Sequence, residues 1–329
     1  MTNENEQNLP ETEDLVRELS ALLGENPDAP RSEPAFDIEE SHWKQLPWEE
    51  AAPPPPKKKT NIKKILYYSL LGVFVSIFLI SGIYLISYLV QSKEQGAQYD
   101  DLAARVESIR QEQAQNSSNS ATGDPNNPID PEYTGPYADI LPEYRDVYAE
   151  NKDTVGWIRI EGTKINYPVM HTPDRKDYYL KRNFKKEYSN WGAIYVRESC
   201  DVFTPSDNVT IYGHYMQDGS MFHDLHGYYN WTFYKDHQYI QFDTIYERHT
   251  YQIVAVFKTS ANMGEGFAYH MFDYASSEEE FNAFIDAVEE NSFYRTGVKA
   301  EYGDMLITLS TCEYTLDNGR LVVVAKRIS

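Results

Sequence analysis

An uninterrupted apolar segment constrains this chain more than any other feature of its sequence. Residues 65–90, ILYYSLLGVFVSIFLISGIYLISYLV, contain no charged side chain over 26 positions. Because a helix rises about 1.5 Å per residue, this segment is longer than the roughly 30 Å hydrocarbon core of a bilayer. A cleavable signal peptide has a shorter apolar region followed by small residues, whereas QSKEQG follows here. The segment predicts one uncleaved transmembrane helix.

The charges beside this segment predict its orientation. Five lysines precede it, namely Lys57, Lys58, Lys59, Lys63 and Lys64. A single lysine, Lys93, follows it closely. Lysine and arginine concentrate on the cytoplasmic side of membrane helices. We therefore expect a single-pass protein of the cell membrane, with a cytoplasmic N-terminus and everything after about residue 91 outside the cytoplasm.

The net charge of −21 is carried on both sides of the predicted membrane helix. Residues 1–56 contain 14 acidic and 3 basic residues and end in AAPPPP. This composition predicts a largely disordered cytoplasmic tail, which we assign to residues 1–64 together with the lysines next to the membrane. A solvated tail without a defined role is favoured over a docking site for an intracellular partner. The region outside is acidic as well, which argues against nucleic acid as a partner.

Residues 91–136 connect the membrane helix to the folded domain. Leu102, Val106 and Ile109 are spaced four and three apart, which predicts one apolar stripe of a helix over 99–115. Residues 116–136, NSSNSATGDPNNPIDPEYTGP, have the Ser, Asn, Pro and Gly content of a linker. A folded domain is therefore expected from 137 to 329.

The pattern of the folded domain is mainly β. Eight short runs of aromatic and β-branched residues are bounded by Gly, Pro, Asn or Asp, which predicts eight strands. They cover residues 155–160, 164–170, 193–196, 208–213, 239–243, 250–259, 304–310 and 320–327. Eight strands in one domain favour a closed barrel or a sandwich. Helices are predicted at 138–151, before the first strand, and at 276–291, between strands six and seven.

One of the two cysteines follows a predicted strand. Cys312 comes two residues after the strand 304–310 and directly before the polar sequence EYTLDNG, and Arg320 begins the last strand. A catalytic cysteine needs a basic or cationic neighbour and partial exposure, which a packed thiol does not need. Position alone favours a packed thiol and leaves a nucleophile paired with Arg320 as the alternative.

The second cysteine and the histidines give a weaker signal. Cys200 lies among acidic residues in VRESCDVFTPSD, and a nearby negative charge raises the pKa of a thiol, so we expect a structural role for it. Among the eight histidines, His214 stands at the end of the fourth predicted strand, in IYGHYM. The sequence shows no convincing cluster of metal ligands, and we expect neither a metal nor a cofactor.

The sequence resembles the class B sortases, which are membrane-anchored cysteine transpeptidases of Gram-positive cell surfaces. The motifs that carry the resemblance are TLSTC at 308–312, RLVVVAKRI beginning at Arg320, and IYGHYM at 211–216 followed by GSMFHDL. Three further stretches, VGWIRIEGTKINYPVM, DYYLKRNF and GAIYV, match in order nearer the start of the domain. The resemblance covers about residues 140–329. It implies an eight-stranded sortase-type β-barrel with an N-terminal helix and a helix between strands six and seven, preceded by one transmembrane helix.

The resemblance also implies a catalytic role for three residues. Cys312 is implied as the nucleophile that attacks a carbonyl carbon of a sorting signal, and His214 as the acid and base that protonates the leaving amine. Arg320 is implied as the guanidinium that holds the substrate and the developing oxyanion. The resulting thioacyl enzyme keeps the energy of the cleaved amide available for an amine acceptor.

Three further positions match residues that line the substrate groove of the family. They are Ser310, Leu180 and Glu313, the last of which is expected to act through its backbone N–H. One departure stands beside the histidine, because Tyr215 occupies a position where the family commonly has Asn. This departure leaves the catalytic trio in place and puts the neighbouring contacts in question.

The implied function is the transfer of secreted proteins that carry a C-terminal sorting signal to a peptidoglycan amine of the cell wall. A pilin-polymerising sortase, whose acceptor is a lysine of a pilin subunit, is the alternative. The linker 116–136 lacks a clear Asp-Pro-aromatic lid, which favours wall anchoring. An L,D-transpeptidase is disfavoured because its Ser-His-Gly-Cys context is absent. The non-enzyme alternative is a membrane-tethered binding protein in which Cys312 is packed.

Overall fold

The computed structural model describes residues 61–119, 135, 137–262 and 264–329, with the side chains of 116–119 left aside. Residues 67–329 form one compact unit, and residues 61–66 are the described part of a second unit, 1–66. The predicted acidic tail and most of the predicted linker lie outside the described residues. The boundaries that we place at 64, 90 and 136 stay predictions.

One long helix, α1 (Ile62–Asn119), carries two different surfaces. Its first half exposes nearly all of its large apolar side chains, and it is the one helix of the described chain that is long and apolar enough to cross a bilayer. In its second half, Tyr99, Leu102 and Val106 are buried in the same core as the barrel. The predicted apolar stripe is therefore confirmed at Leu102 and Val106, whereas Ile109 is half-buried.

The eight strands close into a barrel, which decides between the two predicted alternatives. They are β1 (Thr154–Arg159), β2 (Asn166–Met170), β3 (Ile194–Val196), β4 (Asn208–Tyr212), β5 (Tyr239–Thr244), β6 (Thr250–Ser260), β7 (Leu306–Glu313) and β8 (Gly319–Arg327). Their order around the barrel is β1-β2-β3-β4-β7-β8-β6-β5. The pairs β2–β3 and β4–β7 are parallel and the others are antiparallel. Closure leaves no free sheet edge.

Three short helices accompany the barrel in the described residues: α2 (Arg145–Glu150), α3 (Trp231–Asp236) and α4 (Glu278–Asn291). The helix predicted at 138–151 is shorter than expected, because Tyr137 adopts a positive φ of 63° and a 3-10 turn that begins at Pro142 precedes α2. The helix predicted between strands six and seven is confirmed as α4. Its N-cap is Ser277, whose side chain accepts a hydrogen bond from the Glu280 N–H.

The alternation of side chains along β7 and β8 decides what faces the outside of the barrel. Ile307 and Leu309 of β7 belong to the main core, which fills the barrel. Side chains at even positions therefore point outward, where Leu306 packs under α4 in a second core. Ser310 and Cys312 follow on this outer face, beyond the part that α4 covers.

A buried ion-pair network fixes the second half of α1 to the barrel. The Arg110 guanidinium donates to the Asp243 carboxylate and to the Tyr144 hydroxyl, and that hydroxyl donates to Asp243 at 2.6 Å. Burial raises the pKa of Asp243 although Arg110 and Tyr144 both act to lower it. Desolvation of this carboxylate is therefore only partly offset, and the loss of Arg110 would leave a buried and poorly compensated charge.

Replacement of Arg110 by leucine is expected to lower the free energy of unfolding by about 3 kcal/mol, because it leaves Asp243 buried without its cation. The matched control is Arg105→Leu. Arg105 lies on the same helix as Arg110 and forms a surface ion pair with Glu150 of α2, in which the two side chains are 36% and 44% exposed. That change should cost less than about 1 kcal/mol. Denaturant unfolding of the full chain in detergent measures both values. Equal losses would contradict the assignment of Arg110 as the main fastening of α1.

Candidate active site

Cys312 lies inside a strand rather than after its end. The prediction that this strand ends at Ser310 is wrong, because β7 continues to Glu313. The last three residues of β7 remain paired with β8, and a short turn over residues 314–318 joins the two strands. The thiol is free and half-buried, on the outer face of the barrel. A paired hairpin therefore holds the residue that the resemblance implies as the nucleophile.

Arg320 stands directly across the hairpin from Cys312. The two residues are cross-strand partners, so both side chains project from the same face of the barrel. The guanidinium Nη1 donates to the carbonyl oxygens of Gly319, at 2.8 Å, and Asn318, at 3.2 Å. These contacts hold the positive charge at the rim of the site. An arginine keeps this charge at any working pH.

His214 reaches the same place from β4, which runs parallel to β7. Tyr212, the last residue of β4, is paired with Ser310, and the Gly213 N–H donates to the Ser310 carbonyl at 3.1 Å. Parallel strands advance in the same direction, so the residues that follow Tyr212 and Ser310 leave the sheet at the same end. The pairing of β4 with β7 therefore brings His214 and Cys312 to one cavity.

The His214 ring is held by the backbone of Leu180. Its Nε2 lies 2.7 Å from the Leu180 carbonyl oxygen, and since a carbonyl only accepts, this nitrogen carries the ring proton. Burial lowers the pKa of His214, the Leu180 carbonyl opposes this shift, and the positive charges of Lys181 and Arg320 add to it. The ring is therefore neutral at neutral pH. Within the described residues, no hydrogen bond joins it to Cys312.

Cys312, His214 and Arg320 line one open cavity of about 360 Å³. Ser310 and Leu180, which the sequence marks as groove residues, line it as well. Leu180 is exposed at its rim, whereas Ser310 is buried at its base. The structure therefore brings together five of the six residues that the resemblance indicates.

Glu313 is the sixth, and its side chain does not reach the cavity. Its carboxylate accepts hydrogen bonds from the backbone N–H groups of Thr315 and Leu316 and from the Thr315 hydroxyl, at 2.9–3.2 Å. It points into the turn because Glu313 follows Cys312 and so faces the opposite side of β7. A groove contact through this side chain is excluded by that geometry, and a role for the backbone N–H stays a prediction.

The connection between β6 and α4 supplies groove residues that the sequence did not single out. The Tyr269 hydroxyl lies 2.6 Å from the Ser310 hydroxyl and borders the cavity. Arg197, just after β3, donates to the Asp273 carboxylate at 2.9 Å and to the His270 carbonyl, and thereby holds this connection over the cavity. No periodic pattern marks such a loop, so only the folded chain shows which of its side chains border the site.

Cys200 differs from Cys312 in its exposure and in its neighbours. It is 3% exposed, and its Sγ lies 3.4 Å from a carboxylate oxygen of Asp273. Burial, and to a lesser degree this carboxylate, raise the pKa of the Cys200 thiol to about 12. Such a thiol stays protonated, which agrees with the structural role expected for it.

Gly192 leaves the space that the His214 site needs. Its φ is +60°, and a Cβ at this position would lie 2.7 Å from the Leu180 carbonyl oxygen and 3.1 Å from Cδ2 of His214. Both distances are shorter than ordinary contacts, so a larger residue would displace the histidine or its acceptor. Within the described residues, no group of three or more His, Cys, Asp or Glu side chains is placed to hold a metal ion.

The midpoint of His214 titration should lie below 6.5, because burial and two positive neighbours disfavour the protonated ring. Lys181→Met removes one of these charges and is expected to raise the midpoint. Lys185→Met removes an exposed lysine that has no part in the shift and serves as the control. Histidine NMR signals followed against pH measure all three. A midpoint above 6.5, or one that Lys181→Met leaves unchanged, would contradict this electrostatic account.

Comparison with known proteins identifies the family. Residues 158–328 match the model of the Sortase domain. The chain is 32% identical over 191 residues to sortase B of Staphylococcus aureus and 33% identical over 193 residues to sortase B of Listeria monocytogenes. These alignments cover 57% and 58% of this chain and 76% of each relative.

A solved structure gives the same answer for the fold. The Staphylococcus aureus sortase B–substrate complex superposes with a TM-score of 0.59 and 27% sequence identity, over 73% of this chain and 99% of the other. The mixed eight-stranded barrel and the helix between β6 and β7 are thus those of a sortase. The chain belongs to the sortase family and is a class B sortase, a cysteine transpeptidase.

Proposed function

We propose that this sortase cleaves a C-terminal sorting signal of secreted proteins at Cys312 and joins them to a peptidoglycan amine of the cell wall. The observation that carries the proposal is the pairing of β4, β7 and β8, which sets Cys312, His214 and Arg320 around one cavity on the outer face of the barrel. A thiol, a base and a fixed cation at one site are the groups that acyl transfer through a thioester requires.

The reaction begins with attack of the Cys312 sulfur on a carbonyl carbon of the sorting signal. The carbonyl oxygen becomes an oxyanion, which the Arg320 guanidinium stabilises. When the intermediate collapses, the carbon–nitrogen bond breaks and His214 gives a proton to the leaving amine. An acceptor amine then attacks the thioester, loses a proton to His214 and releases Cys312.

The electrostatics of His214 suit this use as an acid. The lowered pKa makes the protonated ring a stronger acid, so it gives its proton readily to a leaving amine. The proton comes from the thiol of Cys312 before or during attack. Because the resting ring donates to the Leu180 carbonyl, this contact also sets the direction in which the ring meets the substrate.

The cavity suits an extended peptide. Ser310 and Tyr269 offer hydroxyl groups at its base, and Leu180 offers an apolar contact at its rim. A relative from Staphylococcus aureus has been solved as a substrate complex, which supports the use of the corresponding cleft here. We propose Ser310 and Leu180 as residues that bind the sorting signal.

We propose that the membrane helix holds this site at the cell surface. The five lysines before the apolar segment support a cytoplasmic N-terminus, so the catalytic barrel lies outside the cytoplasm. Since α1 continues from the apolar segment into the buried contacts of Tyr99 and Leu102, it carries the barrel directly on the membrane anchor. The substrates that pass this site are secreted proteins and the precursors of the wall.

Incubation of the full chain in detergent with a library of sorting peptides, followed by mass spectrometry, tests the proposal. A thioester adduct is expected on Cys312, and Cys312→Ala should form none. Cys200→Ala is the control and should form the adduct at the normal rate, because Cys200 is buried. A methanethiosulfonate should modify Cys312 at least about 10-fold faster than Cys200.

The outcome that would refute the proposal is peptide cleavage that Cys312→Ala leaves unchanged, together with equal labelling of the two thiols. Acceptor choice is read in the same experiment, with a peptidoglycan-type amine and a pilin-type lysine peptide supplied in competition. The proposed function predicts transfer to the peptidoglycan-type amine. Preferential transfer to the lysine peptide would instead support the pilin-polymerising alternative, whose expected lid lies outside the described residues.

A further inference from the structure

The backbone carbonyl of Cys312 lies past the point at which the neighbouring strand β4 ends. Along a strand, alternate residues direct their backbone groups to opposite neighbours. The Ser310 carbonyl accepts from Gly213 on the β4 side, so the Cys312 carbonyl points to the same side. Since β4 ends at Tyr212, no strand residue is available there to pair with it. A buried or half-buried carbonyl in this position needs another donor.

A histidine side chain supplies that donor. Nε2 of His226 lies 3.0 Å from the Cys312 carbonyl oxygen. Because the carbonyl can only accept, this nitrogen carries the ring proton. His226 belongs to the 3-10 turn His223–Tyr229, so its backbone is fixed by a different part of the fold from β7. The hydrogen bond thus continues the sheet past the end of β4.

Tyr215 holds the His226 ring in place. The two rings are 4.1 Å apart between centroids, and Tyr215 also stacks on His223 at 4.6 Å and contacts the edge of Tyr314 at 5.8 Å. Tyr215 directly follows His214 and is the position where the sequence departs from the family pattern. Tyr215 therefore makes a contact that the family's usual residue could not make, because an asparagine has no ring to pack against the ring of His226.

We propose that His226, whose ring packs against Tyr215, is a positioning residue for the Cys312 nucleophile. The inference rests on the proposed function of Cys312. The hydrogen bond fixes the peptide unit between Cys312 and Glu313, and with it the direction of the Cys312 side chain toward the substrate carbonyl. Because the C=O and N–H of a trans peptide point in opposite directions, the Glu313 N–H of the same peptide unit faces β8, where Glu313 is paired with Gly319.

Replacement of the donor, with the ring kept, tests the proposal. His226→Phe preserves a ring against Tyr215 and removes the hydrogen bond, and it should lower kcat about 10- to 100-fold with little change in KM. His226→Gln, whose side-chain amide can reach the same carbonyl, should recover much of the loss. The control is His237→Phe, since His237 also packs its ring on an aromatic ring, that of Phe233, but its ring contacts the Phe233 carbonyl rather than a carbonyl of β7. It should retain normal kcat and KM.

A second set of variants keeps the test decisive if His226→Phe folds poorly, as judged by its melting temperature. Tyr215→Leu removes the ring that packs against His226, and Tyr215→Phe keeps it. Tyr215→Leu should lower kcat and Tyr215→Phe should not. In a His226→Phe background, Tyr215→Leu should cause little further loss of kcat. Normal kcat in both His226→Phe and Tyr215→Leu, or fully additive effects, would overturn the proposal. An active Cys312→Ala would instead overturn the proposed function, so the two failures are distinguishable.

Discussion

The parallel pairing between β4 and β7 is the constraint on which the active site depends. It joins Asn208 to Leu306 and Tyr212 to Ser310, which lie far apart in the chain. The segment between these strands includes β5, β6 and α4, so the pairing joins parts of the chain that are distant in sequence. It brings His214 and Cys312 to the same end of the two strands, and the β7–β8 hairpin adds Arg320.

Burial and nearby fixed charges determine the protonation behaviour of these side chains. The half-buried His214 has a lowered pKa, and Arg320 contributes to that shift while it keeps its own charge for the substrate. Cys200 shows what burial does to a thiol that lacks such a site, because its pKa is raised to about 12. The difference between the two cysteines comes from location, since Cys200 is enclosed beside a carboxylate and Cys312 opens onto the cleft.

Much of the fold follows from local patterns in the sequence. Alternation and turn residues predict all eight strands, and the spacing of Phe281, Phe284 and Val288 predicts α4. Local patterns do not show how far a strand extends when a partner is available, which is why β7 runs past Ser310 to Glu313. They also leave barrel and sandwich undecided, because closure depends on pairings between distant residues such as those of β4 and β7.

The site was predicted less evenly than the fold. Cys312, His214 and Arg320 were indicated by motifs, and the structure places them at one cavity. Tyr269 and His226 were missed, because each acts through a contact with a distant strand that no spacing reveals. The sequence also did not indicate where the Glu313 side chain points. Its direction depends on the side of β7 that Glu313 occupies, and Glu313 was expected to lie in a loop after that strand.

The second half of α1 shares the hydrophobic core of the barrel. Arg110, Tyr99 and Leu102 fasten this half to the catalytic domain. A crystal structure of the chain with a sorting peptide trapped on Cys312 by a disulfide would show whether Arg320 and His214 surround the reacting carbonyl. We expect the Arg320 guanidinium within about 3.5 Å of the peptide carbonyl oxygen, with His214 on the leaving-group side. A peptide outside the cleft, with Arg320 still bonded only to the Gly319 and Asn318 carbonyls, would contradict it.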